Sequence, residues 1–278
     1  MAFTKMHGIG NDYIYIHCPD GVPSNISELS IEMSRQHTAV GSDGIILILP
    51  SDKADFMMRI FNADGSEARM CGNGIRCVGK YVHDRGLTSK TTLEIETLSG
   101  IKTLELHIGP DRTVESVTVD MGQALTCDPV LGNGERIDRS IETSAGSLRL
   151  TAVSMGNPHG VVFTDCITDS LVHETGRELE MHPCWPERAN IEFAKIDNPH
   201  HITMRVWERG SGETMACGTG ACATAVAAII TGRCESPVTV ELPGGSLLIR
   251  VTPDRHVFMT GPATTVFDGT YFRPIKSN

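Results

Sequence analysis

RIFNADGSEARMCGNGIRC (59–77) and RVWERGSGETMACGTGACA (205–223) can be laid one above the other without a gap. Arg59 meets Arg205, Glu67 meets Glu213, Cys71 meets Cys217, Gly72 meets Gly218 and Gly74 meets Gly220. Each pair is 146 apart (217 − 71 = 146). Apolar positions follow the same frame, Ile60 with Val206 and Phe61 with Trp207. Working outward, GIGN (8–11) falls on SMGN (154–157), so Asn11 meets Asn157 and Gly10 meets Gly156. Beyond the Gly-rich turns, LEIETLSG (93–100) falls near VELPGGS (240–246) with a shift of one. A fixed period held over such a distance marks an internal duplication. Each half then contains a strand, a Cys-Gly-X-Gly turn, a helix and further strands.

At 278 residues the chain is long enough for two domains of ordinary size. With 40% hydrophobic residues and 28 glycines it belongs with folded globular chains. The net charge of −10 argues against nucleic acid or an anionic membrane as the main partner. An anionic small molecule is still compatible, because local dipoles and single arginines dominate inside a site. The opening MAFTKMHGIGNDYIYI has no basic region followed by a long apolar run, and the apolar stretch 221–231 is too short to span a bilayer. A soluble, cytoplasmic protein is expected. Nine cysteines, an odd number, then point to free thiols in a reducing compartment.

Strand-like runs recur at 13–16, 45–49, 56–61, 92–97, 103–108, 114–119, 147–153, 160–163, 202–207, 239–242, 247–251 and 257–260, separated by Gly, Pro, Asn and Asp. Helical patterns are fewer: roughly 27–37, from Gly72 to about Arg85, and from Gly218 to about Gly232. Many strands with few helices predict antiparallel sheets with helices packed on or inside them. On the first Cys-Gly helix, Ile75, Val78 and Val82 share one side, leaving Arg76, Lys80, His83 and Arg85 for the other. The second, ACATAVAAII, is apolar on all sides and belongs in a closed interior.

The cysteines admit several readings. A four-thiolate zinc site would need Cys77 and Cys222 beside Cys71 and Cys217. On a helix they lie about 240° and about 140° round from those residues, so neither faces the same point. A CxxC redox motif is absent. A free Cys is often a small core residue, which suits Cys18, Cys77, Cys127, Cys166, Cys222 and Cys234. Cys71 and Cys217 fit that role poorly, because each precedes a Gly-rich helix start. Free N–H groups and a partial positive charge there favour a thiolate and dock a carboxylate, and glycine lets the anion approach the backbone. Two such ends facing one α-carbon would suit inversion without a cofactor. One thiolate removes a proton, one thiol returns it to the other face, and the carboxylate stays on preorganised donors.

Along nearly its whole length the sequence resembles the diaminopimelate epimerase family, in KMHGIGNDY (5–13), RIFNADGSE (59–67), MCGNGIRC (70–77), SMGNPH (154–159), ERGSGETMACGTGACA (208–223) and LPGGSL (242–247). The resemblance implies an α/β (α+β) fold of two pseudo-symmetric halves, each a mostly antiparallel sheet or barrel wrapped around a central helix, with the active site in the cleft between them. The expected halves are 1–118, completed by a C-terminal strand at 264–278, and 119–263. It implies Cys71 and Cys217 as the acid/base pair, with His159 and Glu208 tuning the thiols. Substrate contacts would come from Asn11, Asn62, Asn157, Asn190, Glu208 and Arg209, and from backbone donors at Gly72, Asn73, Gly218 and Thr219. It further implies a small-molecule substrate, no cofactor, no metal and a homodimer. Some family members carry a substrate-touching Gln where this chain has Gly44; its counterpart at the 146 offset, Asn190, is present.

Blander roles stand beside these. Asn11 and Asn157 each follow a Gly and suit turns. His159 could bond only a loop, Glu208 and Arg209 could end a solvated strand, and Arg59 and Arg205 could be sheet-surface charges. A proline or hydroxyproline racemase also uses two cysteines, but its substrate has no second amino-acid end to occupy Arg209, Glu208 and the asparagines. A zinc- or redox-sensing thiol protein is the alternative from a different class.

Overall fold

The computed structural model describes residues 1–272. In chain order the elements are β1 (Ala2–Gly8), β2 (Asn11–His17), α1 (Ile26–Ser34), β3 (Gly44–Leu49), β4 (Phe56–Asn62), β5 (Glu67–Ala68), α2 (Gly72–Asp84), β6 (Thr92–Thr97), β7 (Gly100–Ile108) and β8 (Val114–Gln123). There follow β9 (Arg139–Thr143), β10 (Gly146–Ser154), β11 (Pro158–Phe163), a π-helical turn (Leu171–Thr175) running into α3 (Gly176–Glu180), β12 (Asn190–Asn198), β13 (His201–Glu208), β14 (Gly212–Glu213), α4 (Gly218–Ile230), β15 (Val238–Leu242), β16 (Gly245–Val251), β17 (His256–Pro262) and β18 (Thr264–Thr270). No helix among the described residues is long and apolar enough to cross a membrane.

Two compact units divide the chain, Met1–Val119 with the C-terminal segment from Pro262, and Asp120–Gly261. In the first, pairing runs β18-β1-β2-β3-β4-β6-β7-β8, with β2/β3 and β4/β6 parallel and the other neighbours antiparallel. In the second it runs β9-β10-β11-β12-β13-β15-β16-β17, with β11/β12 and β13/β15 parallel. The two lists match strand for strand, and β18 holds the place that β9 fills in the second unit. Of the expected terminal strand 264–278, β18 covers 264–270, residues 271 and 272 are not strand, and 273–278 lie outside the described residues.

The offset of 146 carries α2 (72–84) onto α4 (218–230) residue for residue. It also carries α1 (26–34) onto 172–180, within the helical stretch LVHETGRELE (171–180) that the sequence patterns leave unassigned. The shift of one after the helices is visible in register. Ile95 pairs with Phe56 and Val240 with Ile202, an offset of 145 (240 − 95). The matched Arg and Glu positions are ion pairs across equivalent hairpins. Arg59 holds Glu67 at 2.5 and 2.8 Å, and Arg205 holds Glu213 at 2.6 and 3.0 Å. Each hairpin delivers the chain to its Cys-Gly turn.

β3 explains itself by burial on both faces. Ile45, Leu47 and Leu49 pack with Leu29 and Met33 of α1, Phe61 and Ile14. Ile46 points the other way, toward α2, with its Cδ1 2.5 Å from where a Cβ on Gly74 would stand. The second unit repeats the scheme: Ile191 and Phe193 of β12 pack with Val172, Leu179 and Trp185. α4 packs against β10, β11, β12, β13, β15 and β16 and is buried from Gly220 to Ala228. An all-apolar helix inside a curled sheet is the outcome its composition predicts.

Arg76 corrects one expectation. It is not on a solvent side but fully buried in α2. Its Nε donates to the Pro262 carbonyl at 3.1 Å and its Nη1 to Asn73 Oδ1 at 3.0 Å, so this cation ties α2 to the chain entering β18. Gly8 leaves it room, because a Cβ there would meet Arg76 Nη2 at 2.8 Å.

Gly44 is also constrained by the backbone. Its φ is +155°, and an added Cβ would stand 2.1 Å from the Phe61 carbonyl oxygen and 2.9 Å from Asn62 Cα. No side chain fits without moving the β3/β4 ladder. Gly44→Gln is therefore expected to destabilise by roughly 1–3 kcal/mol, read as a lower midpoint in denaturant unfolding. An unchanged midpoint would contradict the packing described here.

Candidate active site

Each Cys-Gly turn builds the same local device. Cys71 is the N-cap of α2 and Cys217 the N-cap of α4, both extended (φ −139°, ψ 113° and φ −128°, ψ 104°). The Gly74 N–H donates to Cys71 Sγ at 3.3 Å and the Gly220 N–H to Cys217 Sγ at 3.4 Å. Each sulfur thus takes the place of the usual N-cap oxygen and satisfies one of the helix's orphan donors. Gly72 and Asn73, and Gly218 and Thr219, are the first helical residues, with their N–H groups at that positive end. Cys77 and Cys222 are fully buried further along the helices. Burial pushes the Cys77 thiol up to about 11.

In the first unit, the Cys71 thiol donates to Asn11 Oδ1 at 3.2 Å. Asn11 Nδ2 is held at 2.7 Å by Asp43, whose carboxyl is raised above its ordinary value chiefly by burial. Tyr13 stands beside Cys71, its phenol raised first by burial and then by that sulfur. Asn62 closes β4 with its Nδ2 on Ser66 Oγ at 3.0 Å. The Asn73 side chain accepts from Arg76 Nη1 at 3.0 Å, and its backbone N–H belongs to the first turn of α2.

The second unit is more enclosed. His159, fully buried on β11, has Nδ1 2.7 Å from Glu192 Oε1 and Nε2 3.1 Å from Asn157 Oδ1. Asn157 Nδ2 reaches Thr219 Oγ1 at 3.4 Å, and Thr219 Oγ1 lies 3.7 Å from Cys217 Sγ. Glu208 ends β13, accepts from Thr214 Oγ1 at 2.5 Å and sits beside Cys217. Its carboxyl is raised, mainly by burial. Asn190 accepts from the Arg209 N–H at 2.9 Å and donates to the Pro158 carbonyl at 3.1 Å. Arg209 Nη1 donates to the Glu187 carbonyl at 3.2 Å. Asn157, His159, Asn190, Glu208, Arg209, Cys217 and Thr219 are therefore linked within one unit. Asn11 and Cys71 are linked within the other.

A helix start alone would lower a thiol's pKa, and that expectation fails for Cys217. Its thiol is raised well above the ordinary value by burial first, then by Glu208 and Glu192. Desolvation and two carboxylates outweigh one helix end and one N–H donor. Three residues beside the candidate site are not singled out by the sequence motifs: Tyr13, Asp43 and Glu192. The duplication could have exposed two of them. At the 146 offset Tyr13 is the counterpart of His159, and Glu192 that of Ile46.

Because the Glu208 carboxylate opposes ionisation of Cys217, Glu208→Gln is expected to let the thiolate form at lower pH. Alkylation of Cys217 followed by peptide mass spectrometry across pH measures this. A midpoint that stays put or rises would contradict the arrangement.

The family model for diaminopimelate epimerase matches residues 3–126 and 151–266. A diaminopimelate epimerase of Acetivibrio thermocellus is 48% identical over 274 residues, covering 97% of this chain and 98% of its own. One of Bacteroides thetaiotaomicron is 51% identical over 270 residues, covering 97% of each. Among solved structures, a PhzF-family phenazine biosynthesis protein of Bacillus anthracis superposes with a TM-score of 0.71 at 18% identity, over 98% of this chain and 99% of its own. A probable proline racemase of Agrobacterium radiobacter does so with 0.71 at 15%, over 98% and 92%. These two share the fold. Two duplicated Cys-capped helices, a family model matched over most of the chain and relatives 48% and 51% identical over 97% of it converge on one conclusion: the chain belongs to the diaminopimelate epimerase family and is an isomerase of the racemase and epimerase class.

Proposed function

We propose that the enzyme interconverts LL- and meso-2,6-diaminopimelate, using Cys71 and Cys217 as the two proton-transfer groups at one α-carbon and no cofactor. It would serve the biosynthesis of lysine and peptidoglycan precursors. The observation that carries this reading is the duplicated device itself, a cysteine sulfur accepting the N–H three residues on at the start of a 13-residue helix, present once in each unit.

The chemistry follows from what that device supplies. A thiolate takes the α-proton, breaking the C–H bond and leaving its electron pair on the α-carbon and its carboxylate. The opposite thiol then gives its proton to the other face. After turnover the first sulfur is a thiol and the second a thiolate, ready for the reverse direction. The carbanion needs donors aimed at its carboxylate, and the N–H groups of Gly72, Asn73, Gly218 and Thr219 are suited to that task. Asn11, Asn62, Asn157, Asn190 and Arg209 would hold the distal amino-acid end. His159 and Glu208 would set the protonation of the Cys217 side. A cytoplasmic homodimer accompanies this reading on the family resemblance.

Chiral chromatography of LL-diaminopimelate incubated with the purified enzyme tests the proposal. Conversion to the meso form is expected with no added cofactor, and proline should be left unchanged. Cys71→Ala and Cys217→Ala are each expected to lower the rate by at least about 10²-fold. Full activity in either variant, or a requirement for pyridoxal phosphate, would overturn it.

A further inference from the structure

Two-faced burial of β12 places one residue where its chemistry is out of keeping. The β3 position equivalent to Glu192 is Ile46, an apolar side chain facing the central helix. Glu192 takes the same inward place in the second unit and is completely buried. Its Oε1 lies 2.7 Å from where a Cβ on Gly220 would stand. Gly220 therefore serves two ends: its N–H reaches Cys217 Sγ, and its missing side chain admits Glu192. A buried carboxylate costs several kcal/mol unless it is paired. The Glu192 carboxylate has one hydrogen-bond partner among the described residues, His159 Nδ1 on its Oε1, and its Oε2 has none. A carboxylate kept in the core for a single contact is there for that contact.

We infer that Glu192 is a positioning residue for the Cys217 half of the site, fixing the ring of His159 with Nδ1–H donated to its carboxylate. The inference rests on the function proposed above. A carboxylate oxygen accepts, so Nδ1 carries a proton, and Asn157 Oδ1 accepts too, so the 3.1 Å contact to it has Nε2 donating as well. The chain from His159 Nε2 through Asn157 and Thr219 to Cys217 has steps of 3.1, 3.4 and 3.7 Å. With its far end anchored by Glu192, the ring cannot turn, and Asn157 and Thr219 keep one orientation beside the sulfur. The first unit has no such anchor, because Ile46 and Tyr13 occupy the two positions. The two thiols therefore work in unlike surroundings although their helices are duplicates.

Two variants and one spectrum test this. Nitrogen-15 NMR of histidine-labelled protein, with His159 assigned by its loss in His159→Asn, should show a protonated Nδ1 in the wild type and in Glu192→Gln. Gln keeps an acceptor oxygen where the carboxylate stood. Glu192→Leu should lose that signature and lower kcat for diaminopimelate about 10–100-fold, the usual cost of removing an outer partner, while Glu192→Gln recovers most of the rate. A wild-type His159 protonated on Nε2 alone, wild-type turnover in Glu192→Leu, or Gln and Leu variants equally impaired would overturn the inference. Should the Leu variant not fold, the wild-type spectrum and the Gln variant still decide. Should the wild type leave diaminopimelate unchanged, the proposed substrate fails, and the NMR signature, which needs no substrate, still tests the role of Glu192.

Discussion

A backbone N–H donated to a cysteine sulfur at the first turn of a helix is the interaction on which the rest of this structure depends. It requires the cysteine to be extended, the following residues to be helical, and the third of them to have no side chain. Gly74 and Gly220 meet the last condition for different reasons, since Ile46 crowds the first and Glu192 the second. The hairpins upstream, each locked by an Arg–Glu pair, set where the helix begins. The curled sheet then encloses the helix and fixes the sulfur's direction.

The same device in two settings does not give two equal thiols. The dipole of a helix start acts on Cys71 and Cys217 alike. What differs is the company: Tyr13 and Asn11 at one, Glu208, Glu192 and His159 beyond Thr219 and Asn157 at the other. For Cys217 burial is the largest influence and the carboxylates add to it, which keeps a proton on that sulfur to higher pH. An epimerase needs one sulfur loaded and one empty, so this asymmetry is chemically useful within the proposed mechanism.

Much of the fold was legible because the duplication repeats its signals. The limits of α2 and α4 follow from Cys-Gly-X-Gly and apolar spacing, and the all-apolar character of α4 announced an enclosed helix. Other elements were hidden by mixed signals. β12 reads NIEFAKIDN, where Glu192 and Lys195 interrupt the apolar run. The helical stretch 171–180 has Gly176 in its middle, accommodated against Trp207 and Phe193. Arg76 looked solvent-facing because charge usually is, and only the folded chain reveals carbonyl and amide acceptors waiting for it. Cys71, Cys217, Asn11, Asn157, His159 and Glu208 could be picked out by motif. No motif singles out Tyr13 or Asp43, because a tyrosine in YIYI and an aspartate in a loop have ordinary structural uses; for Tyr13 only its place opposite His159 at the 146 offset is a signal.

The central claim is that two different sulfurs serve the two faces of one α-carbon. Turnover of LL-diaminopimelate in deuterated water, quenched early, tests it most directly. The account predicts α-deuterium in the meso product and almost none in the recovered LL substrate, because the group that removes the proton is not the one that delivers the deuteron. Equal deuterium in recovered substrate and product at early times would mean that a single group serves both faces, and would contradict it.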